Sequence, residues 1–179
     1  PFVVLLGKGD HEVTSSWPRN PDGTICQTTL VITRSYITFL GKGIGETTIL
    51  GGIGIANVQN ITLKQLTVTN TNRHGVVMFG AVVELVDVES TNCGSDGIHV
   101  SITFSTVTDS TPSHLVATRC EMSNNGGSGL SISNSNSNIS HNVCLKNCIS
   151  HHNSRHGIFV NGTGVVNIHG DVTAVHSNG

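Results

Sequence analysis

The sequence predicts an all-β fold: a right-handed single-stranded parallel β-helix of about six to seven rungs. Three observations predict it. Glycine and asparagine are abundant among many β-branched residues, while aromatics make up only 4% and charged residues 11% of the 179 residues. That mix reads as many short strands separated by tight turns. Four glycines, Gly75, Gly97, Gly129 and Gly157, each open an alternating strand-like stretch. Counted from each glycine, the same six offsets are apolar or small in every copy.

Those offsets fall in pairs two residues apart, the β period. Fourteen and twelve residues before the glycine stand Ile61 and Leu63, Val83 and Leu85, Leu115 and Ala117, Val143 and Leu145. Nine and seven before stand Leu66 and Val68, Val88 and Ser90, Cys120 and Met122, Cys148 and Ser150. One and three after stand Val76 and Met78, Ile98 and Val100, Leu130 and Ile132, Ile158 and Val160. Of these 24 positions, 22 are apolar and two are Ser. Each rung therefore offers three short strands with two inward side chains apiece. Stacked in parallel at about 4.8 Å, like positions form continuous columns.

The elements follow in chain order. Residues 2–6 read as an opening strand, with Gly7-Lys8-Gly9 a turn. Residues 15–23, rich in Ser, Pro, Asn and Gly, read as a loop. Residues 30–32, 37–40, 48–50 and 53–55 read as one or two looser rungs, and Gly41-Lys42-Gly43-Ile44-Gly45 as a turn that matches no phosphate-binding loop. The regular rungs follow. Between their cores lie connections of 8, 18 and 14 residues, counted from Gly75 to Val83, Gly97 to Leu115 and Gly129 to Val143. Variable loops on one side of a solenoid often carry function. Residues 165–176 begin a further copy whose register slips. The expected organisation is one domain over 1–179: an N-terminal strand and loop in 1–28, regular rungs in 29–164 and the start of another rung in 165–179. The chain reads as part of a longer one.

Five residues before the glycine stand Asn70, Asn92 and Asn124, with His152 in the fourth copy. Asparagine tolerates left-handed backbone and can bond to its counterpart one rung away. These three are expected to form a structural ladder. Cys120 and Cys148 share an inward column, either as two small buried side chains or as a disulfide between rungs. Five cysteines leave at least one unpaired within the chain, and their spacing is not a zinc pattern.

Formal net charge is −2, which gives no electrostatic footprint for nucleic acid. No apolar run reaches the roughly 20 residues of a membrane span. Three sequons, at Asn60, Asn138 and Asn161, would matter in a secreted protein. The expected location is extracellular or surface-associated.

Residues 36–52, and the later rungs typified by residues 60–78, resemble pectin-lyase-like right-handed β-helix proteins, among them pectin methylesterases and polygalacturonases. The resemblance covers roughly residues 29–160 and implies the fold. Unrelated functions share this scaffold. Ser95-Asp96-Gly97-Ile98-His99 resembles the first acidic motif of polygalacturonases, which would make Asp96 and His99 catalytic. The next rung, residues 124–133, holds no carboxylate, so the acid pair of a glycosidase is not assembled. An Asp-Gly-Ile sequence is also a common entry into a β-helix strand.

The outward positions give a second candidate. Ten before the glycine are Gln65, Asp87, Arg119 and Asn147; eight before are Thr67, Glu89, Glu121 and Ile149. Adjacent rungs would set Asp87 beside Arg119 and Glu89 beside Glu121. Lyases of the resembled fold use such sets to bind Ca²⁺ and an acidic sugar; the alternative is a surface charge ladder. His74 repeats His156 in register, but Asp96 and Ser128 intervene, so the ten histidines predict turn residues and no metal site.

Two functions follow as expectations. The first is a non-catalytic repeat domain that binds glycans or builds a larger assembly, without cofactor, its ends capped by other protein subunits. The second is a polysaccharide-processing enzyme (lyase, hydrolase, esterase or epimerase), with Ca²⁺ if a lyase.

Overall fold

The computed structural model describes residues 1–14, 29–101, 111–134 and 138–179. It contains no helix, hence none long and apolar enough to cross a membrane, among these residues. Among these residues eighteen strands stack in parallel. The early ones are β1 (Phe2–Leu5), β2 (Gly9–Glu12), β3 (Thr29–Ile32), β4 (Ile37–Leu40), β5 (Thr47–Leu50) and β6 (Gly52–Ala56). The regular rungs supply β7 (Ile61–Thr69), β8 (Val76–Phe79), β9 (Val82–Thr91), β10 (Ile98–Ser101), β11 (His114–Thr118), β12 (Glu121–Ser123), β13 (Leu130–Ser133), β14 (His141–Lys146), β15 (Ile149–His151) and β16 (Ile158–Asn161). The last are β17 (Gly164–His169) and β18 (Ala174–His176). The loop expected at 15–23, and parts of the two longer connections, lie outside the described residues.

One face of the solenoid is the six-stranded sheet β3-β6-β8-β10-β13-β16. The other two faces form one bent sheet, whose first face runs β1-β4-β7-β9-β11-β14-β17. The bend is made by single residues in left-handed conformation: Gln65, Asp87, Arg119 and Asn147, with φ of 55°, 53°, 52° and 53°. These are the positions ten before the glycine. The corner is tight enough that β7 and β9 run through it unbroken.

Register agrees with the repeat. Ile61 pairs with Val83, Leu85 with Ala117, Ile98 with Leu130 and Val100 with Ile132. Of the 24 inward positions, all but Ile158 and Val160 are buried in one continuous core. Val160 is 41% exposed because β16 ends its sheet among the described residues. The two inward serines are also explained: Ser90 Oγ donates to Gly97 O (2.8 Å) and Ser150 Oγ to Gly157 O (2.9 Å). A buried hydroxyl without such a bond would be costly.

The glycine column is a matter of space. None of Gly75, Gly97, Gly129 or Gly157 has a positive φ. A Cβ on Gly75, Gly97 or Gly129 would lie 2.8 Å from the carbonyl oxygen of the next glycine in the column. Gly52 belongs to the same column, since Ile53 pairs with Val76 and Ile55 with Met78.

The asparagine ladder requires a correction. Asn92 and Asn124 are exposed and carry positive φ (53° and 56°), as does His152 (53°). They shape the corner through their backbone, a conformation asparagine tolerates, and do not stack as a buried ladder. The ladder stands one residue later. Asn125 Nδ2 donates to Asn153 Oδ1 and Asn153 Nδ2 to Asn178 Oδ1, each at 2.8 Å. The ladder oxygens also accept backbone N–H groups of Cys93, Asn125 and Asn153. Asn70 is buried at the equivalent level, since Gly94 N donates to Asn70 O as Gly126 N does to Cys93 O. It closes its own turn through His74 O (2.8 Å).

The slipped register near the C-terminal end has a simple cause. Lys146 pairs with His169, but Ile149 pairs with Ala174. Two extra residues therefore bulge at the corner, at Gly170 with φ 93° and its neighbours. Val166 and Ile168 still pair with Val143 and Leu145.

Candidate functional site

The turn that enters the six-stranded sheet places three titratable side chains together. Asp96 immediately precedes Gly97, and His99 is the first outward residue of β10. His74 immediately precedes Gly75, one rung earlier. The stacking of Val76 on Ile98 and Val77 on His99 brings His74 beside both. Asp96 Oδ2 lies 3.3 Å from His74 Nδ1 and 3.2 Å from His99 Nδ1. Its other oxygen, Oδ1, accepts the Ser128 N–H at 2.7 Å from the rung beyond. The imidazoles stack with centroids 4.4 Å apart. All three side chains are mostly buried, between 14% and 19% exposed.

Burial works to raise the Asp96 pKa, but hydrogen bonds from His74, His99 and Ser128 outweigh it and hold the carboxyl well below the usual carboxylate range. Asp96 is thus ionised at neutral pH. Ligand atoms of His74, Asp96 and His99 lie within 4.8 Å of one another. The expectation that no carboxylate–histidine set reaches metal spacing is therefore corrected. Sequence reasoning paired Asp96 with His99 and compared His74 only with other histidines. The signal was present in the 22-residue offset between His74 and Asp96, which is one full rung.

Among the described residues, no second carboxylate occupies a position equivalent to these. In the register of the sheet, Asp96 aligns with His74 and Ser128, and His99 with Val77 and Ser131. Farther along the outward row stands Phe159, 38% exposed, whose ring stacks on His156 at 5.1 Å. Val77, Ser101 and Ser131 on this face are buried, so the row is open chiefly at its C-terminal end.

The second candidate lies at another corner of the rung, marked by the left-handed residues Asp87 and Arg119. Arg119 donates to Asp87 through Nε (2.6 Å to Oδ1) and Nη2 (2.9 Å to Oδ2). The hydrogen bond from Arg119 holds the Asp87 carboxyl below its ordinary range. With Arg119 56% exposed, this pair contributes little to stability, and its guanidinium is already engaged. Glu89 and Glu121 pair directly on adjacent rungs. Each carboxylate is held from a different side, Glu89 by Thr67 Oγ1 (3.0 Å) and Glu121 by His151 Nε2 (3.0 Å). The structure brings these four residues together as a ladder along the surface and not as a converging pocket.

Cys120 and Cys148 are adjacent in the core and are free thiols. The hydrogen bond they share, together with burial, pushes the Cys120 thiol up. Cys148 Sγ donates to Ala117 O at 3.3 Å. They serve as small core side chains.

A family model described as a right-handed β-helix region matches residues 51–179. No curated protein matches the chain significantly. Among solved structures, the A-module of the mannuronan C-5 epimerase AlgE4 from Azotobacter vinelandii is similar over 93% of this chain and 67% of its own, at 16% identity and a TM-score of 0.40. The pectate lyase Pel9A is similar over 98% of this chain and 70% of its own, at 8% identity and a TM-score of 0.33.

Proposed function

The chain belongs to the right-handed β-helix family, and from that premise we propose that it is a glycan-binding domain whose binding surface is the outer edge around His74, Asp96 and His99. The observation that carries this reading is the chemistry of that edge. An ionised, largely buried carboxylate with two imidazoles is displayed on the outside of a sheet, and among the described residues no second acid aligns with it at the equivalent positions of the neighbouring rungs. Carboxylate and imidazole are natural partners for sugar hydroxyls. The exposed Phe159 ring adds an apolar platform of the kind that sugar-binding surfaces use. The missing second carboxylate argues against glycosidic hydrolysis by a paired-acid mechanism. A structural role in a larger assembly uses the same scaffold without this site.

A second reading, a polysaccharide-processing enzyme, is favoured by one feature. Asp96 orients His99 through Nδ1, which leaves Nε2 free to act as a base. One panel experiment separates the two. Pectic, alginate and neutral polysaccharides are tested for both binding and product release, with and without Ca²⁺. Saturable binding without product, weakened in His99→Ala, supports the binding domain. Turnover that vanishes in His99→Ala or Asp96→Asn supports the enzyme. Binding or turnover that survives both substitutions and disappears in Glu89→Gln would move the site to the other corner.

A further inference from the structure

We propose that His74, Asp96 and His99 bind a divalent transition-metal ion, of the zinc, cobalt or nickel type, that clips two successive rungs together. This goes beyond glycan binding and stands on donor geometry alone. Two imidazole nitrogens and one carboxylate oxygen are a donor set suited to such ions and a poor one for Ca²⁺ or Mg²⁺, which take oxygen. A tetrahedral ion with bonds of about 2.0–2.1 Å has ligands about 3.3 Å apart. The two edges from Asp96 Oδ2 to the Nδ1 atoms are 3.3 and 3.2 Å. One ligand atom from each of the three residues lies within 4.8 Å of the other two.

Two further features point to a cation. The first is orientation: Ser128 N–H fixes Asp96 Oδ1 at 2.7 Å, which aims Oδ2 at both rings, the kind of outer contact that orients metal ligands. The second is convergence: rings from two successive rungs turn their Nδ1 atoms to the same carboxylate oxygen, His74 at 3.3 Å and His99 at 3.2 Å from Asp96 Oδ2. A metal ion would take the lone pair of each ring nitrogen, with the Asp96 N–H giving up His74 Nδ1 as its acceptor. The remaining exposure of 14–19% leaves a path for the ion and for a water as fourth ligand.

The test uses the whole chain, freed of metal by a chelator and titrated near neutral pH with Zn²⁺ and with Co²⁺. The expected result is one equivalent bound, a rise in melting temperature with Zn²⁺, visible absorption of tetrahedral Co²⁺, and no competition by Ca²⁺. His74→Ala, His99→Ala and Asp96→Asn each weaken binding by about 100-fold or more. His74→Ala removes a turn side chain outside the core, so it keeps the test valid should Asp96→Asn fail to fold. His151→Ala and His152→Ala, at the other histidine cluster, leave binding unchanged. No saturable binding in the parent chain overturns the proposal. So does binding that persists in His74→Ala, or that is lost only in the His151 and His152 variants.

Discussion

At the scale of single residues, the register separates side chains that work through contacts from those that work through backbone. Asn153 bonds to Asn125, Asn178, Ser150 Oγ and the Met122 carbonyl, all in or beside the buried ladder. Asn124, one residue before the ladder's Asn125, is exposed and has φ 56°. Asn153→Ala is expected to destabilise the fold by about 2–3 kcal/mol, while Asn124→Gly changes stability by less than about 0.5 kcal/mol because glycine enters left-handed backbone freely. Urea unfolding of the two variants checks the contrast. The sequence favoured Asn92 and Asn124 as ladder residues because asparagine recurs at their offset. Both ladder and left-handed corner prefer asparagine, and composition at one offset does not tell them apart. The interruption of the ladder by Cys93 hid the true column.

His141 gives a pH dependence at the same scale. It is fully buried; Nδ1 accepts the Ser113 N–H at 3.0 Å, and Nε2 has no partner among the described residues. Burial lowers its pKa. The unfolded chain therefore takes up this proton first as pH falls through about 6.5. Below that point the unfolded state binds more protons, so stability falls with pH until the lowered folded pKa is reached. His141→Gln is expected to flatten the part of the stability–pH curve that lies below about pH 6.5. Chemical denaturation at several pH values reads the difference; an unchanged slope would show that His141 is not the group responsible.

At the scale of strands and turns, close stacking decides what is tolerated. A Cβ on Gly129 would meet Ser150 Oγ at 2.1 Å and the Gly157 carbonyl oxygen at 2.8 Å, whereas one on Gly7 meets nothing within 4 Å. Gly129→Ala should destabilise by about 1–3 kcal/mol or more, and Gly7→Ala should be near neutral. Leu85→Ala, in the middle of β9 and fully buried, should cost about 2–5 kcal/mol. Thermal melts of the three variants rank them. The strands were legible because inward positions recur at fixed offsets from a glycine; even the two serines among them have a place, capping glycine carbonyls. The final rung was less legible because two residues are inserted at the corner beside Gly170, which shifts every later offset.

At the scale of the whole molecule, each rung touches only its neighbours, so stability is nearly a sum of local terms. The ends carry apolar side chains with less cover: Phe2 is 64% and Leu5 71% exposed, and Val172 is 61% exposed at the other end. Amide exchange should be slowest in β9, β10, β11 and β13 and fastest in β1, β2 and β18, as expected when opening starts from the ends. The site at Asp96 was half legible in the sequence. Asp96 and His99 lie three residues apart and could be paired by eye, whereas His74 joins them only when one rung is stacked on the next. Such contacts depend on the rung length, 22 residues here, and not on local spacing.

We propose that the outer edge around His74, Asp96 and His99 is where this solenoid meets a glycan. The most direct test is backbone NMR of the whole chain titrated with the oligosaccharide that binds best in the panel. Shifts are expected to concentrate at His74, Asp96, His99, Ser128 and Phe159 and to leave Asp87, Glu89, Arg119 and Glu121 unmoved. Shifts centred instead on Glu89 and Glu121, or spread evenly along the solenoid, would contradict it.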